Sequence, residues 1–125
     1  QVINYLNSNG YNIEDLGCHD EQSVDYPDYG KKAAQAVVAN AGQGVIICGS
    51  GIGISIAANR IKGARAALCV TPQMAQLARQ HNNANILALS GRLVDEATNL
   101  KILEQFLTTD FEGGRHQKRV EKLDF

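Results

Sequence analysis

The chain has no tryptophan, one methionine, two prolines and three cysteines in 125 residues, and only 6% of it is aromatic. So little proline, with no low-complexity tract, excludes a proline-rich linker or a collagen-like rod. Three cysteines (Cys18, Cys48 and Cys69) are too few and too odd in number for a disulfide framework, which points to a reducing, cytoplasmic setting. There is no basic excess: twelve Lys and Arg against thirteen Asp and Glu give a net charge of -1. Nucleic acid is therefore not an expected partner. No apolar run approaches the roughly 20 residues that span a bilayer, and no signal peptide opens the chain, so a membrane is not expected either. What is present, 44% hydrophobic and 20% charged residues, suits a single globular domain over 1–125 without repeats or linkers.

The order of the residues is more informative. Residues 1–6 already follow helical periodicity, with Val2, Ile3, Leu6 and Tyr5 on one face and Gly10 where a helix end wants a left-handed residue. A start without Met inside an amphipathic helix predicts a segment upstream. Residues 11–16 alternate as a strand does. Residues 17–27 read as a polar loop, with Asp28 as N-cap of an alanine-rich helix to Ala41. Gly44–Cys48 is wholly apolar and β-branched, the pattern of a strand covered on both faces. A glycine-rich turn then leads to a short helix over 54–61 and a strand over 64–70. Thr71 and Pro72 open a helix to about His81, residues 85–89 form another strand, and residues 94–108 form an amphipathic helix. A Gly113-Gly114 break precedes a basic segment over 115–119. Four strands alternating with helices predict a Rossmann-like, doubly wound parallel sheet in three α/β/α layers, binding ligand at the carboxyl ends of its strands.

The loop Gly49-Ser50-Gly51-Ile52-Gly53 follows a buried strand and precedes a helix. Its spacing lacks the third glycine of the dinucleotide fingerprint, and the next strand, ending Cys69-Val70, offers no acidic residue for a ribose. No nicotinamide cofactor is expected. The loop is either a nest of N–H groups for an anion or oxyanion, or a turn that needs glycine for steric reasons. Cys48 stands immediately before it. A buried cysteine is often only a small hydrophobe, but a thiol at the mouth of an N–H nest beside a helix N-terminus is placed to act as a base or nucleophile. Cys18 and Cys69 have no such setting.

Other polar residues carry two readings each. His81 ends a helix, where an imidazole serves as a dipole partner, and a helix-to-strand loop lies at the far end from the expected site. No H-x-x-x-H or C-x-x-C pairing occurs, and no metal is expected. Arg115 and Arg119 are four apart, hence on one face of a helix, beside His116 and Lys118. They are either a solvated tail or, with Arg92, forks for a phosphate.

Four segments together resemble ribose-5-phosphate isomerases of the B type. They are Asp25-Tyr26-Pro27-Asp28-Tyr29, the run 47–59 that begins Ile47-Cys48-Gly49, Arg79-Gln80-His81-Asn82, and Gly113-Gly114-Arg115-His116 continuing to Val120. The resemblance covers essentially the whole chain, and the wider family includes galactose-6-phosphate isomerase subunits. It implies that Cys48 is the base that moves a proton between C2 and C1, and that Gly49, Ser50, Gly51, Ile52 and Gly53 hold the enediolate oxygen. It implies that His81 opens the sugar ring with Asn82 as a neighbouring ligand, and that Arg92, Arg115 and Arg119 bind phosphate. Tyr26 matches a ligand-facing aromatic. The tail arginines resemble residues that cross a dimer interface, which implies a homodimer or dimer of dimers with shared sites and would bring His81 to the site of a neighbour.

Such an isomerase needs neither cofactor nor metal. A single base above both carbons suffices, and fixed donors for the developing oxyanion are each worth about 2.7–4 kcal/mol of barrier. Alternatives are an isomerase of allose 6-phosphate or galactose 6-phosphate, and a non-catalytic phosphosugar-binding module, which would need neither the thiol nor the imidazole. In one respect the sequence departs from the family: members begin with a strand ending in an Asp-His pair, and no residue here stands for it. The sequence is therefore expected to be a fragment. Without that strand, residues 11–16 and Gly44–Cys48 would lose a shared neighbour, and the chain alone is not expected to form the family's domain.

Overall fold

A computed structural model of the chain describes residues 2–16 and 25–125. Among them three parallel strands, β1 (Gly44–Cys48), β2 (Ala66–Leu68) and β3 (Ile86–Ser90), form one sheet in the order β1-β3-β2. β3 lies between the others, pairing Gly44 with Ile86 through Cys48 with Ser90 on one side and Ala66 with Ile86 on the other. All five of its residues are buried. The strands alternate with helices: α1 (Val2–Ser8), α2 (Tyr26–Asn40), α3 (Ile52–Asn59), α4 (Pro72–Asn82), α5 (Glu96–Thr108) and α6 (Arg115–Glu121).

The sheet has a core on each face, because successive side chains of a strand point opposite ways. Leu87 and Leu89 meet Ala75 and Ala78 of α4 and Ile102, Leu103 and Phe106 of α5. Ile86 and Ala88 meet Ala34 and Val37 of α2 and Ile54 and Ala58 of α3. This is the expected three-layer, doubly wound arrangement. α1 adds Val2, Tyr5 and Leu6 to the first core, while Ile3, expected on the same face, is exposed. Gly10 takes a positive φ of 80° just beyond the end of α1.

Several boundaries differ from the expectation. Residues 11–16 form no strand: they have no ladder partner among the described residues, and alternation without a partner leaves backbone groups to water. The outer edge of β1 is likewise unpaired among them, and Ile47 is half exposed. α2 starts earlier than Asp28, with Asp25 at the N-cap and Pro27 in the first turn, where a missing N–H costs nothing. α3 starts at Ile52 rather than Ile54, so its amides begin inside the glycine loop. Thr71 caps α4 by accepting from the Met74 N–H at 3.2 Å, as expected. Asp95 does the same for α5 through the Thr98 N–H at 2.8 Å. The basic segment is a helix, α6, whose His116 and Val120 are buried. Cys18 lies outside the described residues.

Candidate active site

Cys48 ends β1, and the chain turns at once into α3. The Gly51 N–H donates to Cys48 Sγ at 3.2 Å, so the loop folds back over the thiol. Gly51 makes this possible: its φ is 81°, and a Cβ there would lie 2.5 Å from Leu68 Cδ1 and 3.0 Å from the Leu89 carbonyl oxygen. Ser50 Oγ accepts from the Ile52 N–H at 3.1 Å. The amides of Ser50 and Gly53 have no hydrogen-bond partner within the described residues. Among the described residues, two loop N–H groups thus have no partner at the positive end of a helix.

Two side chains close on this loop. The Arg92 guanidinium rests on Gly49, with Cζ 3.3 Å from where a Cβ would stand. The Arg92 backbone N–H donates to the Gly49 carbonyl at 2.9 Å, which ties the two loops together. The Tyr26 ring covers Gly53, its hydroxyl oxygen 2.6 Å from the position of a Cβ. Tyr26, Ile52 and Ile56 are all half exposed around the loop. Cys69 is different in kind. It is buried, and burial pushes its thiol up to about 11, so it stays protonated and takes no part.

Ser90 is a supporting residue that no sequence pattern singles out. Its hydroxyl donates to the Gly49 carbonyl at 2.7 Å and accepts from the Leu93 N–H at 2.9 Å. The Ser90 carbonyl in turn accepts from Asn99 Nδ2 at 2.9 Å. Only the cross-strand pairing of Cys48 with Ser90 brings these groups together, and nothing local signals it.

The other candidates lie elsewhere. α4 runs from the carboxyl end of β2 to the amino end of β3, so His81 and Asn82 sit at the opposite edge of the sheet from Cys48. There the His81 ring stacks on His116, centroids 4.3 Å apart and planes 16° from parallel. Burial pushes the His116 imidazole down from its ordinary value, and the neighbouring His81 adds to the effect. Arg115 and Arg119 are exposed on α6, which packs against α4 through its buried side. Arg79, close to His81 in sequence, is structural. Its guanidinium donates to the carbonyls of Thr109 and Ala84 and lies over Phe106. The candidate residues of one chain therefore fall in two separate groups: Cys48, the loop 49–53, Arg92 and Tyr26 in one, and His81, Asn82, Arg115 and Arg119 in the other.

Known proteins match this chain in sequence and fold. The sequence profile of the family described as Ribose/Galactose Isomerase matches residues 1–123. The chain belongs to that family. A ribose/galactose isomerase relative of Mycoplasma genitalium, named probable ribose-5-phosphate isomerase B, is 44% identical over 125 residues, covering 98% of this chain and 82% of the relative. The solved structure of a ribose 5-phosphate isomerase from Thermotoga maritima is 53% identical, with a TM-score of 0.95 over 98% of this chain and 86% of that one. A Mycoplasma genitalium ribose-5-phosphate isomerase B solved with bound ribulose-5-phosphate is 45% identical, with a TM-score of 0.92 over 96% and 81% of the two chains. Among the described residues, no helix is long and apolar enough to cross a membrane.

Proposed function

We infer that this chain is an aldose-ketose isomerase that interconverts ribose 5-phosphate and ribulose 5-phosphate. The observation that carries the reading is the Gly51 N–H aimed at Cys48 Sγ, with further loop amides unpartnered among the described residues at the same end of the sheet. Cys48, as thiolate, takes the proton from C2 of the open-chain aldose. The electron pair released forms the C1–C2 double bond, and negative charge moves onto the carbonyl oxygen. The loop 49–53 holds that oxygen through fixed N–H donors, which need not reorganise as the charge appears. The proton of the C2 hydroxyl passes to O1, which leaves the charge on O2, and the proton on sulfur returns to C1 as C2 becomes the carbonyl of the ketose. Arg92 adds positive charge beside the loop from the same chain.

Each chain in this reading carries two half-sites, and the remaining roles fall to the second group of residues. His81 donates a proton to the ring oxygen when the furanose opens, Asn82 contacts the sugar, and Arg115 and Arg119 hold the phosphate. Both halves can reach one pentose only if two copies of the chain meet. The working unit in this reading is a homodimer, or a dimer of dimers, with shared sites. The exposed apolar side chains of Tyr26, Ile52 and Ile56 beside the thiol fit such a contact. Phosphate binding far from the reacting carbons then supplies the energy that orients them.

A coupled assay with ribose 5-phosphate, allose 6-phosphate and galactose 6-phosphate tests the substrate. The pentose should be turned over with the highest kcat/KM, and preference for a hexose would replace this reading with the six-carbon one. His81→Ala should lower turnover of cyclic substrate far more than that of an open-chain analogue, by about 10²-fold, the usual scale of a lost general acid. Equal losses on both substrates would show that His81 does not open the ring.

A further inference from the structure

The edge of the molecule that carries His81 holds more than ring opening requires. Ligand-capable atoms of His81, Glu112 and His116 all lie within 4.8 Å of one another. Nε2 of His116 is 3.6 Å and Nε2 of His81 is 3.9 Å from the same carboxylate oxygen of Glu112. Hydrogen bonds between such groups close to about 2.9 Å. Neither imidazole reaches that distance, so neither is hydrogen-bonded to the carboxylate. The three groups lie within reach of one another without being paired.

The spacing suits a metal ion. Zinc stands about 2.0–2.2 Å from imidazole nitrogen and carboxylate oxygen, which puts tetrahedral ligand atoms about 3.4 Å apart. The two nitrogen-to-oxygen separations are already near that; the rings, stacked with planes 16° from parallel, must turn about their side-chain bonds for both lone pairs to meet one ion. The backbone holds the ligands in place. The Glu112 N–H donates to the Gln80 carbonyl at 3.1 Å, and the His116 N–H to that of Gly113 at 3.0 Å. His116 is buried, whereas the side chains of His81 and Glu112 are 39% and 51% exposed, which leaves an open side for entry and for a further ligand. Local spacing could not reveal this set, because Glu112 and His116 reach His81 only when α6 docks on α4. The expectation of no metal rested on such spacing and on a reaction that needs none.

We propose that His81, Glu112 and His116 form a site for a divalent transition-metal ion of the zinc class, with three protein ligands and an open coordination position. Two imidazoles and one carboxylate select zinc, cobalt or nickel over magnesium or calcium, which favour all-oxygen shells. The metal takes the lone pair of a His81 ring nitrogen, so occupancy opposes proton donation by that ring. This consequence rests on the ring-opening role given to His81 above; the site itself does not.

Titration of the metal-free protein with Co²⁺, followed by displacement with Zn²⁺, tests the proposal. One Co²⁺ should bind per chain, with visible bands of a nitrogen-oxygen site and no thiolate charge-transfer band, and Zn²⁺ should displace it. Glu112→Gln, at an exposed position, should weaken binding at least about tenfold, as should His116→Gln with its fold verified by thermal melting. Cys48→Ala should bind as the parent does. No saturable binding, binding indifferent to Glu112→Gln, or a charge-transfer band that disappears in Cys48→Ala would each overturn the site. Isomerase assays at saturating Zn²⁺ form a separate arm. Undiminished turnover of cyclic substrate with the site filled would refute the ring-opening role of His81 and leave the site standing.

Discussion

Cys48→Ala is expected to lower kcat by about 10³-fold or more while KM stays within a few-fold of the parent. The upper part of the usual general-base range, about 10²–10⁴, applies because one group makes both proton transfers. Sulfur in this account does chemistry and little binding, so the loss should appear in kcat and in kcat/KM alike. Stability should barely change, since Cys48 is only partly buried at a strand end and its substitute is small. Residual turnover within tenfold of the parent would move the base elsewhere. Cys69→Ala makes the contrast: that thiol is buried and protonated, and its variant should lose packing while an intact fold keeps its turnover.

Gly51→Ala is expected to cost about 10²-fold in kcat and to lower the melting temperature as well. At a φ of 81° any side chain is strained, and the added Cβ would press on Leu68 and on the Leu89 carbonyl. Strain of this kind is worth about 1–3 kcal/mol, and relief requires the loop to shift. A shift withdraws the Gly51 N–H from Cys48 Sγ and misaims the neighbouring amides. Loss of one aligned oxyanion donor costs about 2.7–4 kcal/mol of barrier, so misalignment of part of the nest accounts for the expected size. Gly42→Ala is the control. A Cβ there meets nothing within 4 Å, and both activity and melting temperature should stay near those of the parent.

The reasons some features were legible in the sequence and others were not are physical. β3 was readable as a strand because residues 86–89 are apolar without interruption, but cover on both faces was expected of Gly44–Cys48, and it is β3 that has all its residues buried. The place of Cys48 followed from a β-branched run ending in a glycine-rich turn, a local pattern with few foldings. Residues 11–16 show the limit: alternation describes a strand's side chains, yet a strand exists only with a ladder partner. Ser90 and Asn99 were invisible for another reason. Their contacts with the loop arise from pairing of β1 with β3 and from the docking of α5, neither of which leaves a mark on nearby residues. The same holds for Glu112 and His116, which meet His81 across two helices.

Geometry also sharpened one sequence-level puzzle. A helix-to-strand loop belongs at the far end of the sheet from the strands' carboxyl ends, and His81 is at that far end. A site shared between two copies of the chain, as proposed above, accounts for that placement.

Subunit exchange between two crippled variants tests that central claim most directly. Cys48→Ala lacks the base, and the double variant Arg115→Ala with Arg119→Ala lacks the phosphate grip. Each should be nearly inactive alone at substrate concentrations well below KM. In a dimer with crossed sites, a mixed pair holds one doubly broken site and one intact site. Exchange at equal amounts makes half the dimers mixed, so activity should return to about a quarter of the parent value. Verified exchange with no recovery would contradict the account, and would place Arg115 and Arg119 in their own chain's site or outside any site.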